Sequence, residues 1–282
     1  VRGELEEADE VARLVRVEVG EEPGVVGHGP LGGEVVGDEG GVGQEGDGGL
    51  GPGAGGVSGD ANPALVVGQD AGEEFGFQWV YSGPTTADPA AQSEVVRSLM
   101  QQRVDALMVA PNDPDSMAPV ITEAQGQGIK VGTADTDASS SSREDFVTQA
   151  TEEAIGTALL EQIAAPLNGE GEVAIVSCGQ TAANLNAWIK VIQDKAATDY
   201  PDLKIVETVY ADEDQAKAVT MAKNLINAYP DLKGLIGPCT TAAPGVAQAV
   251  QESGKTGQIH TTGVGTPQAM LPYLQDGSSS AS

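Results

Sequence analysis

The stretch VDALMVAPNDPDSMAPVITEAQGQGIKVGTADTD, residues 104–137, decides the fold of this chain. Its apolar run 106–110 is short and bounded by turn residues, as in a strand covered on both faces. Pro114 opens a helix, because the N–H that proline lacks has no intrahelical partner at that position. Met117, Val120, Ile121 and Ala124 share one helical face, and the glycines at 126 and 128 end it. Residues 129–133 form a second strand, which runs out onto two acids, Asp135 and Asp137. A strand, helix and strand of this length make a parallel unit. In open α/β sheets ligands bind beyond the carboxyl ends of the strands, which is where Asn112, Asp113, Asp135 and Asp137 fall. Of Asp135 and Asp137 at this strand end, one is expected to face that crevice; for either, capping a turn is the competing role.

Composition narrows the function. The 282 residues suit two lobes of roughly 100 to 150 residues each. A formal charge of -28, from 42 acids against 14 bases, excludes a nucleic-acid partner, which needs a basic footprint, and disfavours an anionic membrane surface. No apolar run reaches the roughly 18 residues of a membrane span, and the start VRGELEEADE has no basic, then apolar, leader pattern. No P-loop or G-x-G-x-x-G lies between a strand and a helix, so no cofactor is expected. The two histidines, His28 and His260, have no ligand-spaced partners, and Cys178 and Cys239 match no metal pattern. An enzyme would have to rely on Asp113 and Asp135 as a carboxylate pair without a third group, so no catalytic residue is assigned.

Residues 1–58 differ from the rest. They hold about half of the 38 glycines and no aromatic residue, and they have no period of strand or helix. They read as a disordered tail or as the product of a wrong reading frame, with a short helix allowed over 4–17. From residue 60 the chain alternates: a helix over 62–76, a strand over 77–81, a helix from 89 capped by Asp88, then the unit already described and a polar crossover at 138–142. The alternation resumes with a helix over 151–165 and a strand over 171–177. Helices over 184–199, 214–229 and 244–253 then separate strands over 204–210, 234–237 and 258–264. A final helix begins at 266. Parallel sheets follow from this order.

Several segments carry a resemblance: WVYSGPTTADPAAQ (79–92), VDALMVAPNDPDSMAPVI, KVGTADTDASSSSREDFVTQAT, VAIVSCGQTAANLNAWIK, YPDLKIVETVYADEDQAKA, AYPDLKGLIGPCTTAAPGVAQAV and TGVGTPQAMLPYLQDG. Over residues 60–277 the chain resembles the periplasmic sugar-binding proteins of ABC transporters, type I, in the branch of the rhamnose- and autoinducer-2-binding proteins. The resemblance implies a two-lobed α/β Venus flytrap, each lobe a parallel sheet flanked by helices. It divides the chain into an incomplete first lobe (59–138 with 265–282) and a second lobe (139–264). The first strand of the first lobe, and the strand after residue 277, are not found in this sequence.

The resemblance further implies a non-enzymatic monomer, periplasmic or extracellular and in some relatives lipid-anchored. Such a protein delivers a small sugar-like ligand to an ABC permease; the alternative on the same fold is the effector-sensing part of a transcription regulator. Motif by motif, the ligand-binding aspartate falls on Asp135. The polar pair of the T-x-x-[ND]-Q-N-x-W motif falls on Asn184 and Leu185, where leucine replaces a glutamine. A loop with a ligand-contacting proline and small residue falls on Pro244 and Val246, with Thr240 ahead of it, and Asn62 begins the first helix. Trp188 shares a helical face with Ile189 and Ile192 and reads as core, stacking on a sugar being the other role. Cys178 and Cys239 end neighbouring strands; a disulfide and two buried thiols are both open, and thiols are preferred.

Overall fold

The computed structural model describes residues 63–84 and 86–281, so the glycine-rich tail and Asn62 lie outside the described residues. The first lobe contains α1 (Pro63–Phe75), α2 (Pro89–Gln101), β1 (Ala106–Val109), α3 (Pro114–Gly126), β2 (Lys130–Ala134) and β3 (Phe146–Val147). Its strands are parallel, in the order β1-β2-β3. Asp88 and Asp113 cap α2 and α3, each accepting from two backbone N–H groups of the first turn, with proline at the helix start. Val96, Leu99 and Met100 of α2 close on Leu107 and Val109 of β1, while Met117, Val120 and Ile121 supply the facing side of α3.

The second lobe follows as α4 (Glu152–Ala164), β4 (Gly171–Ser177), α5 (Ala183–Asp199), β5 (Leu203–Tyr210), α6 (Gln215–Ala228), β6 (Leu232–Gly237), α7 (Ala242–Glu252), β7 (His260–Gly263) and α8 (Pro267–Asp276). Its sheet runs β5-β4-β6-β7, all parallel. Central strand β4 is buried on both faces. Val173 and Ile175 join Leu160, Ile163 and Ile192 on one side, and Ala174 and Val176 join Trp188, Leu225 and Val246 on the other. A strand so placed needs apolar residues at every position rather than at alternate ones, which is why GEVAIVS reads as a continuous run. At the carboxyl end of the sheet, a Cβ on Gly263 would lie 2.2 Å from the Gly237 carbonyl oxygen, and one on Gly237 would lie 2.6 Å from the Ala243 nitrogen. Only glycine lets β6, β7 and the start of α7 meet this closely.

Four expectations change. Residues 77–81 are irregular rather than a strand; strand geometry needs a ladder, and neither sheet of the described residues takes this stretch in. The first lobe also does not end at 138, because β3 pairs with β2 (Thr133 with Phe146, Ala134 with Val147) and carries the first sheet to Val147. The segment from 265 packs on the second lobe instead of the first: Met270 is fully buried with Ala243 and Ala247, and the Thr261 hydroxyl donates to the Ser278 carbonyl at 2.8 Å. Finally, Cys178 and Cys239 are not thiols but a disulfide, with Cα atoms 6.2 Å apart at the ends of β4 and β6. Adjacent parallel strands ending at the same level bring the two Cβ atoms within bonding reach.

Asp137 is also reassigned, from candidate ligand contact to structural anchor. Arg143 grips it with two hydrogen bonds, Nε to Oδ1 at 2.8 Å and Nη2 to Oδ2 at 2.7 Å, and the Thr133 hydroxyl donates to Oδ1 at 2.8 Å. The guanidinium lies 5.9 Å from the centre of the Phe146 ring. This fork ties the end of β2 to β3, and the bonds from Arg143 hold the Asp137 carboxyl below the usual carboxylate range.

Two outcomes follow. Replacing Arg143 with Met is expected to lower the unfolding free energy near neutral pH, by the modest amount that a solvent-screened ion pair carries. Because the depressed Asp137 contributes stability only where it is ionised, the difference between the two proteins shrinks as pH falls through its folded-state pKa; urea melts across the acid range measure both. Reducing the disulfide, which spans 61 residues, lowers stability by about 2–4 kcal/mol, read from the same melts with and without a dithiol.

Candidate functional site

Both sheets point their carboxyl ends at one cavity of about 330 Å³, a volume that fits a small ligand. The first lobe contributes Asn112, from the turn after β1, and Asp135, from the end of β2. Asn112 is set by Gln92 on α2, a buried side chain that donates to the Ala110 carbonyl at 2.7 Å and accepts from the Asn112 N–H at 2.9 Å. Asp135 has a left-handed backbone, φ 59. Aspartate tolerates this conformation better than most residues. The bend breaks the strand's alternation: Asp135 turns into the cavity and Asp137 away toward Arg143.

The second lobe answers with residues at the start of α5. The Asn184 amide donates from Nδ2 to Asp135 Oδ2 at 2.8 Å, while its own Oδ1 accepts from the Leu185 N–H at 2.8 Å. Gln149, in the segment that crosses between lobes, donates to Asp135 Oδ1 at 3.1 Å. The Thr181 hydroxyl donates to the Asn112 carbonyl at 3.0 Å. Both oxygens of Asp135 therefore hold amide donors, one from the crossing and one from the opposite lobe. An ionised carboxylate has about four acceptor positions, so it can take ligand hydroxyls beside them. Leu185, Trp188 and Val264 form an apolar wall; Trp188, 4% exposed, belongs to the core and also lines the cavity.

Of the residues singled out from sequence, Asn112, Asp135, Asn184, Leu185 and Thr240 meet around this cavity. Pro244 and Val246 do not. Helix α7 begins at Ala242, so both lie inside its first turns, buried against the core. The loop before the helix supplies Pro238, Cys239 and Thr240 instead. Asn62 lies outside the described residues.

Sequence reasoning also missed Gln92, Gln149 and Glu213. Glu213 follows β5 and lines the cavity at half-burial. Burial pushes its carboxyl up to about 7, against the Thr241 hydroxyl and the Gly179 N–H, which favour the ionised form; Asp212 and Asp135 add repulsion. Its position just past a strand was legible, but it stands among Asp212 and Asp214, and nothing local separates a buried acid from its solvated neighbours. Glu213 and the two cysteines also come within 4.8 Å of one another. Their sulfurs are bonded to each other, which leaves no thiolate to hold a metal.

Residues 62–282 match the family model described as a periplasmic binding protein domain. The D-ribose/D-allose-binding protein of Pseudomonas aeruginosa is 29% identical over 212 residues, 71% of this chain and 64% of that protein. Among solved structures, an ABC transporter solute-binding protein from Clostridium phytofermentas with bound L-rhamnose is 31% identical, with TM-score 0.69 over 71% of this chain and 63% of that one. LsrB from Clostridium saccharobutylicum in complex with AI-2 is 26% identical, with TM-score 0.73 over 76% and 69%. The chain spans between about half and two thirds of the length of the curated relatives it matches. With two parallel sheets facing one cavity, and a family match that covers all the described residues, this chain belongs to the periplasmic binding protein family.

Proposed function

We propose that this chain is a solute-binding protein that captures a small, sugar-like ligand, of the kind of rhamnose or autoinducer-2, and presents it to an ABC permease. The observation that carries the reading is the polar bridge across the cavity: Asp135 of one lobe is held by Asn184 of the other. A ligand that hydrogen-bonds to both residues favours the closed arrangement of the lobes by its difference in affinity for closed and open forms, and by no more than that. Relatives whose names record ribose, allose and xylitol, and structures that hold rhamnose, AI-2 or D-arabinose, support a polyhydroxy ligand.

The site's chemistry agrees. Asn112, Asn184 and Thr240 offer neutral donors and acceptors, Asp135 offers an acceptor, and Leu185 with Trp188 offers an apolar face for ring carbons. Specificity comes from polar groups that are left unpaired when the hydroxyl pattern is wrong. Binding without catalysis is the activity assigned, in keeping with the solute-binding relatives, and the proposed state is a monomer. A buried disulfide suits an oxidising compartment, periplasmic or extracellular.

Calorimetric titration with L-rhamnose, D-ribose, D-arabinose and autoinducer-2 tests this. At least one should bind, and Asp135→Ala should weaken it by about 2–4 kcal/mol, or roughly 30- to 1,000-fold. Arg143→Met should leave the dissociation constant within about threefold, since its partner Asp137 faces away from the cavity. Silence across the whole panel, or unchanged affinity in Asp135→Ala, would sink the reading.

A further inference from the structure

The residues that line the cavity include two ionisable groups, Asp135 from the first lobe and Glu213 from the second, and both are acids. No Lys, Arg or His lines the cavity among the described residues. Two cations are paired elsewhere: Arg143 with Asp137, and Lys217 with Asp212, the residue before Glu213. Around Glu213, the ends of β4 and β6 present the disulfide, which does not titrate, and the Gly179 N–H; the start of α7 presents the Thr241 hydroxyl. Its own loop presents Asp212, and the end of β2 presents Asp135 across the cavity. The acids are thus met by neutral dipoles and by each other.

We propose that Glu213 determines which ligands this cleft accepts: facing Asp135, with no cation among the described residues that line the cavity, it makes the site take uncharged polyhydroxy ligands and refuse anionic ones such as sugar acids and sugar phosphates. The inference rests on the solute-binding reading and narrows its ligand class. An anionic ligand would be enclosed with two acids and no counter-charge, in a space where closing the lobes removes the screening water. An uncharged ligand meets no such repulsion, and a proton-bearing Glu213 can donate to one of its oxygens.

The same arrangement gives binding a pH dependence with a definite sign. Glu213 titrates near 7. Closing the lobes over an uncharged ligand desolvates it further beside Asp135, which favours the protonated form. The bound state therefore holds the proton more tightly than the free state, so affinity is greatest below neutrality and falls above it.

The experiment is calorimetry at pH 6 and pH 8 with L-rhamnose, D-ribose and D-arabinose, set against D-glucuronate and D-ribose 5-phosphate. The expected result is binding of a neutral sugar with a dissociation constant about three- to tenfold weaker at pH 8, and anions at least about a hundredfold weaker than that sugar. Glu213→Gln, which keeps a donor and cannot ionise, should flatten the pH dependence, while Asp212→Asn should retain it. The wild-type pH profile and the anion panel stand even if the Gln variant does not fold. A neutral sugar bound with the same affinity at both pH values, an anion bound as tightly as a neutral sugar, or a Gln variant with the wild-type slope would each overturn the inference while leaving the solute-binding reading intact. Absence of binding by every neutral sugar at both pH values would overturn the two together.

Discussion

The hydrogen bond from Asn184 to Asp135, 2.8 Å long, is the contact that makes two lobes into one site. Each sheet alone ends in an open crevice with its loops in water. Facing each other, they enclose a cavity in which a carboxylate of one side is oriented by an amide of the other. The left-handed turn at Asp135 is what aims that carboxylate. Strain of this kind persists only where its surroundings over-determine it, and here they do: the Asp135 N–H bonds to the Val147 carbonyl at 3.0 Å, and both carboxylate oxygens are held by amides.

The supports behind this contact are unequal in the two lobes. In the second, β4 is buried on both faces, its end is stapled to β6 by the disulfide, and glycines let the strand ends close up against α7. Those loops are held as a rigid platform. In the first, the three described strands end in β3, two residues long with both residues exposed, and the Arg143 fork carries the join to the crossing.

Two acids, Asp135 and Asp137, illustrate how a shared local pattern separates in space. They are two residues apart at one strand end and carry the same charge. One is bidentately paired with an arginine and serves the fold; the other, among the described residues, meets the neutral amides of Gln149 and Asn184. Glu213 adds a third role, that of a carboxyl whose burial raises its proton affinity. The difference among the three comes from what the remainder of the chain sets beside each.

By itself the sequence determined the order of the described helices and of the described strands other than β3, because burial on both faces of a parallel strand and on one face of a helix leaves periods of apolar residues that need no tertiary knowledge. Residues 171–177 were legible for that reason, and Asp88 was legible as a cap from its place just before a helix. It also placed Asn112, Asp135 and Asn184 at strand or helix ends, where a cleft would gather them. The tertiary structure alone decided which side chains share that cleft: that Pro238 rather than Pro244 reaches it, that Asp137 belongs to Arg143, that the cysteines are joined, that β3 extends the first sheet, and that the segment with Met270 lies on the second lobe. Each of these depends on distances between residues far apart in the chain. A one-dimensional pattern records how each residue meets its own helix or strand, and carries no measure of which other element arrives at its side.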